Sequence, residues 1–205
     1  MNTIYGDGAG KEFFFSAFKF YVSHIKLIKN DNSTVELSEV EFFDYSETIS
    51  KSFSVNAPAG DYKGIEFFVG LDSAQDKTKP EDYPASEPLG PKTGMYWPWL
   101  NHRFVNLEGT ADTLGQNFAG GNIGLNYHVG TDACYRQVSL LGKPFSIIDG
   151  ASKTIYLNVD ILKVFYGQTD SLDMFLNPGT QSENNDIGVA IKFADQFSKA
   201  FSYSD

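Results

Sequence analysis

Phe13-Phe14-Phe15-Ser16-Ala17-Phe18-Lys19-Phe20-Tyr21-Val22-Ser23-His24-Ile25-Lys26-Leu27-Ile28 is the stretch that most restricts the fold. Aromatic and β-branched side chains lose χ1 freedom against the preceding turn of a helix and fit a pleated surface well. The run therefore predicts one long strand, or two joined by a kink near Ser16. Lys29-Asn30-Asp31-Asn32-Ser33 supplies turn residues, and Thr34-Val35-Glu36-Leu37 returns as the second arm of a hairpin. Further short strands are expected at 41–45, 51–55, 62–71, 103–107, 123–130, 135–141 and, as a long alternating run, 153–165. With 18 Phe and 11 Tyr in 205 residues, the spacing predicts an all-β chain, a single domain over 1–205 built as an antiparallel β-sandwich. The end differs. Asp186 can cap a helix over about 186–201, whose Ile187, Ala190, Ile191, Ala194, Phe197 and Phe201 recur at helical spacing.

Both tryptophans lie in Gly94-Met95-Tyr96-Trp97-Pro98-Trp99. Pro98 lacks an N–H and forces Trp97 into an extended conformation, so the segment is a loop or a sheet edge. Alternation would put Met95, Trp97 and Trp99 on one face and Tyr96 on the other. Aromatic packing beneath a loop and the wall of a binding site both fit such residues. The preceding 72–93 stretch is longer than most connections, as functional loops often are. Asp72, Asp76, Glu81 and Asp82 within it lack EF-hand spacing and read as solvated charge.

A formal charge of −10 and no basic run argue against nucleic acid and anionic membranes. No apolar run reaches transmembrane length, and Met1-Asn2-Thr3-Ile4-Tyr5-Gly6-Asp7-Gly8 lacks the regions of a signal peptide. Cys134 is the one cysteine, which excludes an internal disulfide and reads as a buried small hydrophobe. No G-x-S-x-G elbow occurs and no pair of carboxylates is singled out, so hydrolase and glycosidase readings are weak and the chain is expected not to be an enzyme. His24, His102 and His128 all lie in strand or aromatic segments. Neutral imidazole suits copper or zinc, and the Met95 thioether would favour Cu(I). His24 shares parity with Phe18, Phe20 and Val22, which makes a buried histidine the plain alternative, whereas His128 alternates against Leu125, Tyr127 and Val129 and points away from the apolar face.

The phrases Phe20-Tyr21-Val22-Ser23-His24-Ile25-Lys26-Leu27, Pro58-Ala59-Gly60-Asp61-Tyr62-Lys63-Gly64-Ile65, Gly94-Met95-Tyr96-Trp97-Pro98-Trp99, Leu107-Glu108-Gly109 and Tyr127-His128-Val129-Gly130-Thr131-Asp132-Ala133-Cys134 occur in that order. Together they resemble the MbnP-like family, the methanobactin-partner proteins and their relatives, over roughly 13–165. The resemblance implies a secreted or lipid-anchored β-sandwich lipoprotein of the Gram-negative periplasm or outer membrane. It also implies copper bound by histidines together with a kynurenine, formed when a di-haem cytochrome c peroxidase-like partner oxidises one tryptophan. Carried over, His128 matches the family histidine, Trp97 and Trp99 the paired tryptophans, and His24 the strand histidine. Asn101-His102 replaces the usual Gly-Tyr, and the second cysteine of disulfide-bearing relatives is missing. The expected metal site comprises His24, His128, Trp97, Trp99 and His102. The rival expectation is a glycan- or protein-binding module with Tyr96, Trp97 and Trp99 as an exposed platform.

Overall fold

The computed structural model describes residues 3–6, 10–46, 51–166, 169–183 and 185–204. Met1, Asn2, Asp7 and Gly8 of the N-terminal stretch lie outside them. The chain forms β1 (Tyr5–Gly6), β2 (Glu12–Lys29), β3 (Thr34–Asp44), β4 (Gly60–Val69), a one-turn helix α1 (Ser73–Asp76), β5 (Tyr96–Trp97), β6 (Asn101–Asp112), β7 (Asn122–Gly130), β8 (Arg136–Ile147), β9 (Leu157–Val159), β10 (Gly179–Thr180), α2 (Ile187–Phe197) and β11 (Phe201–Tyr203). Nearly all pairing is antiparallel, and the parallel match of β10 to β7 is the exception.

The 18-residue β2 organises both leaves of the sandwich. Its first half pairs with β6, from Glu12 opposite Asp112 to Phe20 opposite Val105. Beyond Tyr21 the same edge turns to β4, with Val22 opposite Val69, while β3 follows the other edge. A bulge between Phe15 and Ala17 bends the strand where Ser16 predicts a kink. The leaves part at Gly70, whose N–H donates to the Tyr21 carbonyl and whose φ is +99°. A Cβ there would stand 2.4 Å from the Phe104 ring. Only glycine fits.

The C-terminal helix fills the opening between the leaves. Phe197 meets Phe18 and Phe20 of β2 edge-on at 5.7 and 5.4 Å, and Phe193 meets Tyr127 of β7 at 5.2 Å. Both phenylalanines are fully buried, each contributing about 2 kcal/mol of transfer free energy. The helix begins at Ile187 with Asp186 in the N-cap position, as the sequence suggests, but it stops earlier and the Asp186 side chain makes no cap bond. Its carboxylate instead accepts the N–H groups of Gln181 and Glu183 upstream, and Phe201 has left the helix for β11.

One expected strand is absent and two have merged. Residues 51–55 are exposed and pair in no ladder among the described residues, whereas 34–37 and 41–44 are parts of one strand, β3. The run at 153–165 keeps only β9 before a 3-10 turn at Ile161–Val164, because the Asp160 carboxylate accepts the Leu162 N–H and turns the chain. The 72–93 loop is compact: Leu89 and Thr93 are buried, and 3-10 turns occupy Pro80–Asp82 and Pro91–Thr93.

Candidate functional site

Strand β7 runs Leu125, Tyr127 and Val129 into the core and turns His128 to the opposite face, as its alternation predicts. That face is covered. His128 is only 7% exposed, with Nδ1 2.9 Å from Gln181 Oε1 and Nε2 2.9 Å from Glu108 Oε1. Glu108 comes from β6, two residues beyond Asn106, which pairs with His128 across the ladder. Burial opposes the Glu108 charge, yet the hydrogen bonds from His128 and Asn106 and the nearby Arg103 guanidinium hold its pKa below the usual carboxylate value.

The two tryptophans close over this histidine. Leu100 N–H donates to the Trp97 carbonyl, a tight turn that replaces the expected straight run, so the two indoles stack at 5.1 Å with planes 25° apart. Trp97 also meets the His128 ring at 4.7 Å and 88°. Arg103 lies over Trp97, its guanidinium carbon 4.3 Å from the ring centroid. Arg103 donates to Asn106 Oδ1 at 2.6 Å and to the Gly94 carbonyl. The result is a layered nest of guanidinium, inner indole and outer indole, with the imidazole set perpendicular to the inner one. Trp99, the outer indole, is 68% exposed. Met95 is fully buried in the hydrophobic core and Tyr96 packs on His102 at 5.2 Å.

The other two histidines stand elsewhere. His24 sits in a second bulge of β2 with φ +49°, which swings its ring off the parity expected for an unbroken strand. Its Nδ1 is 2.8 Å from Glu36 and its Nε2 2.8 Å from Asp72. Partial burial works against its charge, but the two carboxylates prevail and raise its pKa. His24 is five residues along β2 from Lys19, the residue across β6 from Asn106, so it lies on the order of 15–20 Å from His128 by strand geometry. His24 and His128 therefore do not face one another.

His102 is fully buried. Its Nδ1 is 3.1 Å from the Asp76 carbonyl, which can only accept, so the proton is on Nδ1 and Nε2 carries a bare lone pair that no group among the described residues meets. Burial lowers its pKa and keeps the ring neutral. Asp76, from α1, accepts the His102 N–H at 3.1 Å and is pushed up to about 6, chiefly by burial. Among the described residues no group of three His, Cys, Asp or Glu side chains is arranged to hold a metal ion. Cys134 is buried and its thiol is pushed up to about 11 by burial, the state of an inert core residue.

Of the residues expected at the site, the structure brings Trp97, Trp99 and His128 into contact and leaves His24 and His102 outside that contact. Sequence reasoning misses Glu108, Arg103 and Gln181. Glu108 and Asn106 are legible as the polar alternates of Val105 and Leu107, whereas Gln181 reaches His128 from a distant loop with no local signal.

The family model named MbnP matches residues 1–185. Among solved structures, the protein described as "MbnP from Methylosinus trichosporium" is similar at 15% identity, covering 86% of this chain and 74% of its own, with a TM-score of 0.48. No curated protein sequence matches the chain. No helix among the described residues is long and apolar enough to cross a membrane.

Proposed function

The chain belongs to the MbnP family, and from that premise we propose that it is a non-catalytic extracytoplasmic metal-binding protein whose metal is copper, held at the His128–Trp97–Trp99 nest. The observation that carries the reading is the set of contacts around His128: a carboxylate on one nitrogen, an amide on the other and an indole set perpendicular to the ring. His128 Nε2 and Glu108 Oε1 are 2.9 Å apart. Two donors bound at right angles to one ion at 2.0–2.1 Å stand roughly 2.9 Å apart, so an ion can replace the bridging proton with little movement. Gln181 then orients the imidazole through its second nitrogen, as outer partners of metal-bound histidines do.

Two donors are few for a lasting site. On this reading the third arises from Trp97: a di-haem peroxidase-like partner, drawing its oxidising equivalents from hydrogen peroxide, cleaves the indole C2–C3 bond to N-formylkynurenine, and hydrolysis releases the formyl carbon as formate and leaves the aryl amine of kynurenine beside His128. His102, with its preset Nε2 lone pair, is a second imidazole of suitable chemistry, and His24 serves as a structural clamp. The family assignment also motivates a periplasmic or outer-membrane lipoprotein setting.

Titration with Cu(I) and Cu(II) on the wild type and on His128→Ala, His102→Ala and His24→Ala tests the proposal. Loss confined to His128→Ala supports it, and unchanged binding in that variant rejects it. Peptide mass spectrometry after co-production with the partner tests the kynurenine. A glycan- or protein-binding platform is the second reading, and the 68% exposure of Trp99 favours it. Acrylamide quenching of the outer indole without any copper effect would select it.

A further inference from the structure

Beside Trp99 runs an open groove of about 770 Å³, which shares only Trp99 with the nest around His128. Trp99 forms one wall, and Asp76, Asp132 and Glu183 bring three carboxylates to it against the one cation, Lys77. Asp76 is 6% exposed, and among the described residues its Oδ2 has only a long 3.4 Å contact from Asn101. Asp132 and Glu183 line the same groove as Asp76, so its carboxylates gather along one surface. Such crowding is relieved by a bound cation.

The chain also displays what an indole of this pair accepts. Arg103 of β6 stacks its guanidinium on Trp97 at 4.3 Å, and Trp99, stacked on Trp97, turns 68% of its own surface to solvent next to those acids. A planar, weakly hydrated guanidinium can lie on an indole face and still donate to carboxylates at its edge, which a compact ammonium does less well. The groove is too large for one side chain and suits a short extended segment. The net charge of −10 draws a basic partner toward it.

We infer that the groove beside Trp99 is a docking site for an arginine-bearing segment of a partner protein, with one guanidinium stacked on Trp99 and held by Asp132, Glu183 and Asp76. The inference is independent of copper and gives the exposed-platform reading its ligand. It places the partner's side chain directly on the indole pair, two stacked rings from Arg103.

A tri-arginine peptide titrated into the intact protein, followed by calorimetry and tryptophan emission, is the test. Tri-lysine, tri-glutamate and a linear oligosaccharide are the comparison ligands, and copper binding is measured on each variant. Saturable tri-arginine binding, tighter than tri-lysine and weakened at least tenfold both in Trp99→Ala and in Asp132→Asn/Glu183→Gln, bears the inference out. Because Trp99, Asp132 and Glu183 are surface residues, the variants' melting curves should match the wild type. Absence of saturable binding overturns it. Equal affinity in either variant, or no preference over tri-lysine, overturns it too, since diffuse acidity then explains the attraction. Oligosaccharide binding without arginine binding overturns the inference while leaving the platform reading standing, and intact copper binding in the double variant separates either failure from that of the metal site.

Discussion

His128 and Trp97 meet as a T, centroids 4.7 Å apart and planes at 88°, while Glu108 and Gln181 take the two imidazole nitrogens. The imidazole cannot rotate without breaking three contacts at once. A histidine held this way on a sheet's outer face is pre-oriented, and its carboxylate partner becomes the residue that tunes it.

Glu108→Gln should therefore weaken copper binding by about 10- to 100-fold, because a neutral amide neither balances the ion's charge nor supplies a comparable donor. Glu108 is partly exposed on the outer face, so the melting temperature should hardly move. Competition titration against a copper chelator reads the affinity. An affinity equal to the wild type would remove Glu108 from the site.

His24 bridges Glu36 and Asp72, and the clamp has a defined pH window. The raised pKa of His24 means that its contribution is complete below 6.5 and is lost as pH rises through the higher folded value. Asp72, opposed by burial but lowered by the Gln75 and Ala74 N–H groups and by His24, contributes above 3.8 and loses that contribution as pH falls through its lower folded value. The clamp thus stabilises most between about pH 4 and 6.5. His24→Asn tolerates the left-handed backbone and removes the charge. Its melting temperature should fall further below the wild type at pH 5 than at pH 8. An equal gap at both values would show that the bridge is electrostatically silent.

Gly70→Ala should destabilise by about 2–5 kcal/mol, combining left-handed backbone strain with overpacking against Phe104. The leaves diverge at this position, so no shift of one strand relieves the clash. Urea unfolding with an unchanged m-value and a lowered midpoint is the expected result.

These particulars show where the sequence speaks and where it is silent. His128 was placeable because β7 is unbroken from Asn122 to Gly130, and strict alternation sets its face. Alternation misplaces His24 because a bulge inserts a left-handed residue into β2, and no local signal distinguishes a bulged histidine from a straight one. The strand expected at 153–165 was apolar enough, but Asp160 offers its own carboxylate to the backbone and wins. The indole pair was visible as composition, whereas its stack depends on the Trp97–Leu100 turn, and the Arg103 that covers it is placed by a register irregularity between Arg103 and Val105. Gln181 and Asp76 come to their histidines across 53 and 26 residues of chain, a distance over which one sequence carries no pairing information.

Asp76 makes the sharpest thermodynamic prediction, because its burial and its hydrogen bonds pull in opposite directions. The carboxylate accepts the His102 N–H and a long contact from Asn101, but burial dominates and pushes its pKa up to about 6. A carboxyl whose folded pKa lies above its unfolded 3.8 binds its proton more tightly in the native state, so its stabilising contribution is present at low pH and is lost as pH rises through about 6. A rise from 3.8 to about 6 corresponds to roughly 3 kcal/mol at pH 8. His102 works the other way: burial lowers its pKa, so the native state gains stability as pH rises toward 6.5, which offsets part of the Asp76 loss in that interval. Asp76→Asn keeps an oxygen for the His102 N–H and never ionises. The variant should therefore melt above the wild type at pH 8 and lose that advantage at pH 4.5, where the wild-type carboxyl is itself protonated. Thermal melts of both proteins at the two pH values decide the matter: a variant destabilised at pH 8 would mean that the charged carboxylate is better satisfied by His102, Asn101 and Lys77 than its burial implies.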